Sequence, residues 1–184
     1  MSLRIIRTAV AAERESALHE ARLLLLLRHA SSRTEPSIAG ITKLAKQDFL
    51  LRYPKYFARL LANTRSNPPK LAAEPHEFDT VESKMIRFRY GPWDPRYRGW
   101  IGILVGKGLA TTYLKGRTVH VAITDKGKDV AAVLAAREEF STLDARSRQV
   151  DRATAKFSGT KLKDLVYEAV PELQALAWGQ EISV

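Results

Sequence analysis

Residues 8–30 contain no Gly or Pro and are rich in Ala, Leu, Glu and Arg, all strong helix formers. They predict one long helix, Thr8 to Ala30. Its second half carries the uninterrupted apolar run Leu23–Leu27 between Arg22 and Arg28. Such a segment leaves no polar stripe for water, so it must pack into a core or against a partner. It is far shorter than the ~20 residues needed to span a bilayer. Ser31 to Pro36 reads as a turn, after which Ser37 is suited to cap a second helix running to about Arg52. Ile38, Ile41, Leu44, Ala45 and Phe49 fall on that helix at 3–4 spacing. Tyr53-Pro54 ends it, and Pro54 then opens a third helix carrying Tyr56, Phe57, Leu60 and Leu61.

Residues 63–80 hold three prolines and little periodicity, the pattern of a loop or linker. Met85 to Tyr90 alternates apolar and basic, as a short half-buried strand would. Asp94 is a good N-cap and Pro95 a good first helical residue. Tyr97, Trp100, Ile101, Leu104 and Val105 then make one apolar stripe. Gly106-Lys107-Gly108 stops that helix. Leu109–Leu114 and Thr118–Thr124 read as a hairpin with the basic tip Lys115-Gly116-Arg117. In its second strand Val119, Val121 and Ile123 alternate with Thr118, His120 and Ala122, which places His120 toward solvent. Thr124 or Asp125 caps a helix from about Lys128 to Phe140. Ser141 onward begins polar, then forms a helical stripe with Leu162, Leu165, Val166, Tyr167 and Val170 before Pro171. Leu173, Leu176 and Trp178 follow on a last turn.

The expected fold class is α+β, mainly α. The order of three helices, strand, helix, hairpin and helix predicts a winged helix over residues 1–140, with an extra long N-terminal helix. Residues 141–184 are expected as a C-terminal helical extension. A helix followed by a hairpin also occurs in other α+β folds, and that alternative stays open.

Charge sharpens the picture. The chain has 30 Lys+Arg against 20 Asp+Glu, net +10 in 184 residues. Residues 1–80 and 81–140 each carry an excess of +5, and residues 141–184 are neutral. Between Lys84 and Arg117 eight cations face one anion, Asp94, with Tyr90, Trp93 and Tyr97 among them. A solvated face and a polyanion-binding surface both fit such a stretch. The absence of cysteine excludes a disulfide scaffold, a thiolate zinc site and a cysteine nucleophile. With no signal-peptide pattern at Met1–Val10, the expectation is a soluble, cytoplasmic protein without a membrane partner.

The sequence holds no recognisable catalytic constellation. His19, His29, His76 and His120 are scattered and show no metal-ligand spacing. Gly102-x-x-x-Gly106-Lys107-Gly108 is one residue short of a phosphate-binding loop and lacks the Ser/Thr that would reach magnesium. Asp94 has a sufficient role as a cap, and no second carboxylate stands near it in sequence. No enzyme, cofactor or metal is expected.

In a DNA-reading winged helix, the helix before the hairpin enters the major groove and the hairpin tip grips backbone. Here that helix exposes Arg96, Arg98, Gly99, Gly102 and Ile103. Arg96 and Arg98 could reach phosphate or guanine, but no Asn, Gln, Ser or Thr is there to read base edges. A Gly-Ile face suits close approach of another polypeptide better. Arg87, Arg89, Lys115 and Arg117 could hold phosphates without sequence preference. Leu162, Leu165, Val166 and Trp178 are the candidate partner-binding residues.

Two segments carry a resemblance when taken together: Ile41-Thr42-Lys43-Leu44-Ala45-Lys46-Gln47-Asp48-Phe49-Leu50-Leu51-Arg52-Tyr53-Pro54 and Arg89-Tyr90-Gly91-Pro92-Trp93-Asp94-Pro95-Arg96-Tyr97. They resemble the small middle components of bacterial ABC three-component systems, including the small subunit of Lamassu-type anti-phage defence operons. The run from Phe157 to Glu172 extends the likeness. The resemblance implies a winged-helix accessory subunit without catalytic residues. It would join a coiled-coil ATPase of the structural-maintenance-of-chromosomes type to an effector, often a nuclease. The apolar N-terminal helix and the C-terminal helix would then dock on ATPase or effector, with the basic wing toward double-stranded DNA. A dimeric winged-helix transcriptional regulator is the competing reading, and a bare interaction module such as an antitoxin a third.

Overall fold

A computed structural model describes residues 3–81 and 84–184, with side chains from Glu15 onward. Its centre is helix α1 (Leu3–Ala30). Leu23 to Leu27 are at most 1% exposed, because four helices pack around that helix: α2 (Ile41–Arg52), α4 (Tyr97–Gly106), α5 (Asp125–Ala135) and α6 (Glu138–Thr154). Each buried leucine contributes about 1.5–3 kcal/mol relative to exposure. The apolar half of α1, expected as a docking surface, is thus interior to this chain and closed to a partner.

Ser37 does not cap α2. Ile38–Ala39 form a two-residue strand, β1, and the N-cap is Gly40 at φ 97, a backbone angle that favours glycine. The reason is the core: Ile38 is fully buried, while the Ser37 hydroxyl lies 2.9 Å from His120 Nδ1 and accepts from the Tyr113 hydroxyl at 3.1 Å. β1 pairs with β5 (Thr118–Ile123), which pairs with β4 (Ala110–Lys115). The sheet order is β1-β5-β4, all antiparallel. The β4–β5 hairpin turns at Gly116, φ 61, as the sequence predicts. His120, expected to face solvent, is buried and stacks on Tyr113 at 5.2 Å between centroids. Tyr113 of β4 and Ser37, just before β1, cover its ring.

The expected strand Met85–Tyr90 is shorter and has a partner. β2 (Ile86–Phe88) pairs antiparallel with β3 (Gly91–Trp93) through an Arg89-Tyr90 turn. The chain's last residues run beside β2: Arg87 N–H donates to Gln180 O at 2.8 Å and Ile182 N–H to Met85 O at 2.8 Å.

α4 begins two residues later than Pro95, after Arg96. Asp94 is drawn inward by Arg52 instead of acting as a simple cap. Thr124 does cap α5, its side chain accepting from Gly127 N–H. Gly127 is obligatory there, since a Cβ would collide with the Leu109 carbonyl.

The helix expected to reach Phe140 stops at Ala135, and α6 occupies the stretch read as a polar lead-in. α3 (Pro54–Thr64), α7 (Gly159–Ala169), whose N-cap is Ser158, and α8 (Glu172–Ala175) complete the helices among the described residues. Val150, Ala153, Leu162, Val166, Leu173 and Ile182 join the same core as α1 to α3. Residues 63–80 contain one 3-10 turn, Pro75–Phe78. Arg146 on α6 holds them by donating to both Glu77 oxygens at 2.8 and 2.6 Å. The protein is therefore mainly helical with a small antiparallel sheet.

Candidate nucleic-acid interface

The six arginines and lysines expected to meet phosphate separate into two groups. Arg87 is half-buried and donates to the Leu176 carbonyl at 2.5 Å, so it fastens the C-terminal segment. Arg96 bridges Asp94 at 2.9 Å and Glu15 at 2.6 Å, lying over the Trp100 ring at 4.9 Å. Lys115 meets Glu35 at 2.5 Å, and that hydrogen bond holds the Lys115 ammonium above, and the Glu35 carboxyl below, its ordinary range. These three are engaged within the chain. Arg89, Arg98 and Arg117 are exposed, and no carboxylate among the described residues pairs with any of them. Arg117 stands at the hairpin tip, Arg89 at the β2–β3 turn and Arg98 in the first turn of α4.

Between Arg98 and the hairpin, α4 turns Gly99, Gly102, Ile103, Val105 and Gly106 outward. Ile103 and Val105 are each 39% exposed. A Cβ at Gly99, Gly102 or Gly106 would meet nothing within 4 Å. The glycines thus relieve no crowding inside this chain. Each costs about 1 kcal/mol of helix stability relative to alanine.

Behind this face lies a buried charged cluster that spacing alone only partly announces. Asp48 and Arg52 are four apart on α2, and Arg52 Nη2 meets Asp48 Oδ2 at 2.6 Å while Nη1 meets Asp94 Oδ2 at 3.2 Å. The Tyr97 hydroxyl donates to Asp48 Oδ2 at 2.6 Å. Burial and the Asp48 charge push the Tyr97 hydroxyl well up. Burial also works against the Asp94 carboxylate, but hydrogen bonds from Arg96 and the charge of Arg52 outweigh it and hold the group low. His19 stacks on Trp100 at 4.1 Å. Burial, then the charges of Arg52 and Arg22, push its imidazole down to about 4. The cluster is sealed: Asp48, Asp94, Tyr97 and His19 are each at most 2% exposed. It fastens α4 to α1 and α2.

Of the candidate partner-binding residues, Leu162 and Val166 are buried in the core and closed to a partner, and Leu165 is half-buried. Trp178, 66% exposed, is the one that faces outward. A cavity of about 630 Å³ separates the end of α2 from α6, with Arg22, Arg52 and Arg146 among Glu74, Glu77 and Glu138. Its cations and carboxylates are mixed. Among the described residues no group of three or more His, Asp or Glu converges to hold a metal, and no helix is long and apolar enough to cross a membrane.

No family model, curated protein or solved structure matches this chain.

Proposed function

We propose that this chain is a winged-helix accessory subunit of a complex containing an SMC-like coiled-coil ATPase and an effector. In this reading it is a non-catalytic assembly part, with DNA contact through its exposed arginines. Support for the winged helix comes from the sheet order β1-β5-β4 together with α4 immediately before the hairpin. The observation that carries the assembly role is the outward face of α4. Three glycines with open space around them and two apolar side chains stand where a sequence reader would carry amide and hydroxyl groups. A glycine face allows another backbone to approach closely, and Ile103 and Val105 supply apolar contact. Arg98 at the start of this face and Arg117 at the hairpin tip hold phosphate backbone without reading sequence. The resemblance of the Thr42–Arg52 helix and the Tyr90–Asp94 box to the middle components of three-component defence systems gives the partner its class.

Co-expression of the tagged chain with its neighbouring genes tests the reading. A large ATPase should co-purify in a defined stoichiometry, and Gly102→Arg should release it. A chain that emerges as a lone dimer and shifts one promoter fragment against excess competitor DNA would instead establish a regulator.

A further inference from the structure

The Tyr90–Asp94 box builds a surface pocket that the assembly role does not use. Its walls are Phe88, Tyr90, Pro92 and Trp93, its rim Thr42 and Arg98, and its volume about 180 Å³. The β2–β3 turn creates it by folding the box back so that Phe88 and Trp93 lie 6.4 Å apart, tilted by 32°. Trp93 is braced from behind by Tyr97 at 5.2 Å. Gly91, at φ 107, forms the floor, with the Lys46 chain passing beneath. Phe88, at the end of β2, and Tyr90, in the turn, stay 43% and 52% exposed.

Charge decides the occupant. None of the lining residues is acidic. Two of the three unpaired candidate arginines flank the pocket: Arg98 on its rim, and Arg89 over the Tyr90 ring at 5.4 Å. Flat π-faces beside free guanidinium groups match a nucleobase with its phosphates, because stacking accepts any base and the arginines bind backbone. The volume admits one ring system. We infer that this pocket stacks a single unpaired nucleotide of DNA, at a strand end or overhang, with Arg98 and Arg89 on the adjoining phosphates. The inference rests on the reading that the chain contacts DNA, and it adds a preference for unpaired over fully paired DNA.

Fluorescence anisotropy of the full chain with two labelled probes tests it. One probe is a blunt duplex, the other the same duplex with a short 3′ or 5′ single-stranded overhang. The overhang probe should bind roughly tenfold tighter, as expected from one stacked base. Tyr90→Ala, at an exposed position, should abolish that preference and leave blunt-duplex affinity within about twofold, whereas Arg98→Ala should weaken both probes and the overhang probe more. Arg117→Glu should weaken both probes equally. Equal binding of the two probes by the unaltered chain would overturn the pocket's role while leaving DNA contact standing. Failure to bind either probe would overturn DNA contact itself. Quenching of tryptophan fluorescence by a proline-rich peptide, with no response to overhangs, would reassign the pocket to a protein ligand.

Discussion

Arg52 and Asp94, 42 positions apart in the chain, meet in the interior at 3.2 Å, and Asp48 closes on the same guanidinium at 2.6 Å. This pairing ties α2 to the segment that launches α4, so the outward face of α4 is held by buried charge. Removing one member of a buried pair costs about 3–5 kcal/mol, because its partner is left uncompensated. Asp48→Ala should lower unfolding free energy by that order, measured by urea denaturation. It should also loosen α4, seen as faster amide exchange at Tyr97–Leu104.

Acid should weaken the fold through His19 and, in the same direction, through His29, whose imidazole burial also lowers. The His19 imidazole titrates at about 4 in the fold against an ordinary 6.5, with burial first and then the charges of Arg52, Arg22 and Arg96 opposing its charge and Asp48 favouring it. Between those values the unfolded chain binds more protons, so stability falls as pH drops from 6.5 toward 4 and the loss levels off below. The size is about 3 kcal/mol. Asp94 acts later: its carboxyl lies below its ordinary 3.8, so its stabilisation is present above that value and lost as pH falls through the lower one. His19→Gln should reduce the slope of the stability profile between pH 6.5 and 4, leaving the part His29 contributes, and keep the acid loss below.

The same substitution should have opposite signs at two glycines. Gly102→Ala, with open space around the new methyl group, should stabilise the chain by about 0.5–1 kcal/mol. Gly127→Ala drives a Cβ into the Leu109 carbonyl and should destabilise by about 2 kcal/mol or more. Thermal melting of the pair checks both. In the assembled complex the stabilised Gly102→Ala chain should hold its partner less tightly, because the added methyl group keeps backbones apart.

Two residues that look alike as partner contacts in sequence should separate cleanly in stability. Leu162→Ala opens a cavity in the core and should cost about 2–5 kcal/mol. Trp178→Ala, at a largely exposed site, should stay within about 0.5 kcal/mol.

Much of the fold is legible in the sequence where local chemistry decides it. The Pro54 break, the Gly116 hairpin tip and the Thr124 cap lie where turn and cap preferences place them. The misses share a physical cause, which is tertiary pairing of short or polar segments. Ile38-Ala39 leaves a helical pattern because β5 offers an edge and the core takes Ile38. α6 looks like a polar lead-in because its inward face includes Asp144, Arg146 and Asp151. These pair with the α1 end, the α1–β1 connection and the 63–80 segment. The basic stretch was visible as charge, but which cations remain free depends on carboxylates far away, such as Glu15 for Arg96 and Glu35 for Lys115. The i, i+4 spacing of Asp48 and Arg52 was the one local hint of the buried cluster.

The wing should matter for DNA through Arg117 more than through Lys115, which Glu35 already engages. Arg117→Glu should reduce duplex affinity of the assembled complex and lower the salt slope by about one, with Lys115→Glu the weaker of the two. Unchanged binding with an intact complex would remove the hairpin from DNA contact.

Tandem purification of the tagged chain from cells expressing its whole operon, with mass spectrometry and sizing, tests the assembly role most directly. The expected result is a stable complex with a large coiled-coil ATPase that Gly102→Arg disrupts while the chain's own melting stays cooperative. A chain recovered without an ATPase, or an ATPase retained undiminished by Gly102→Arg, would contradict the α4 face as the assembly surface.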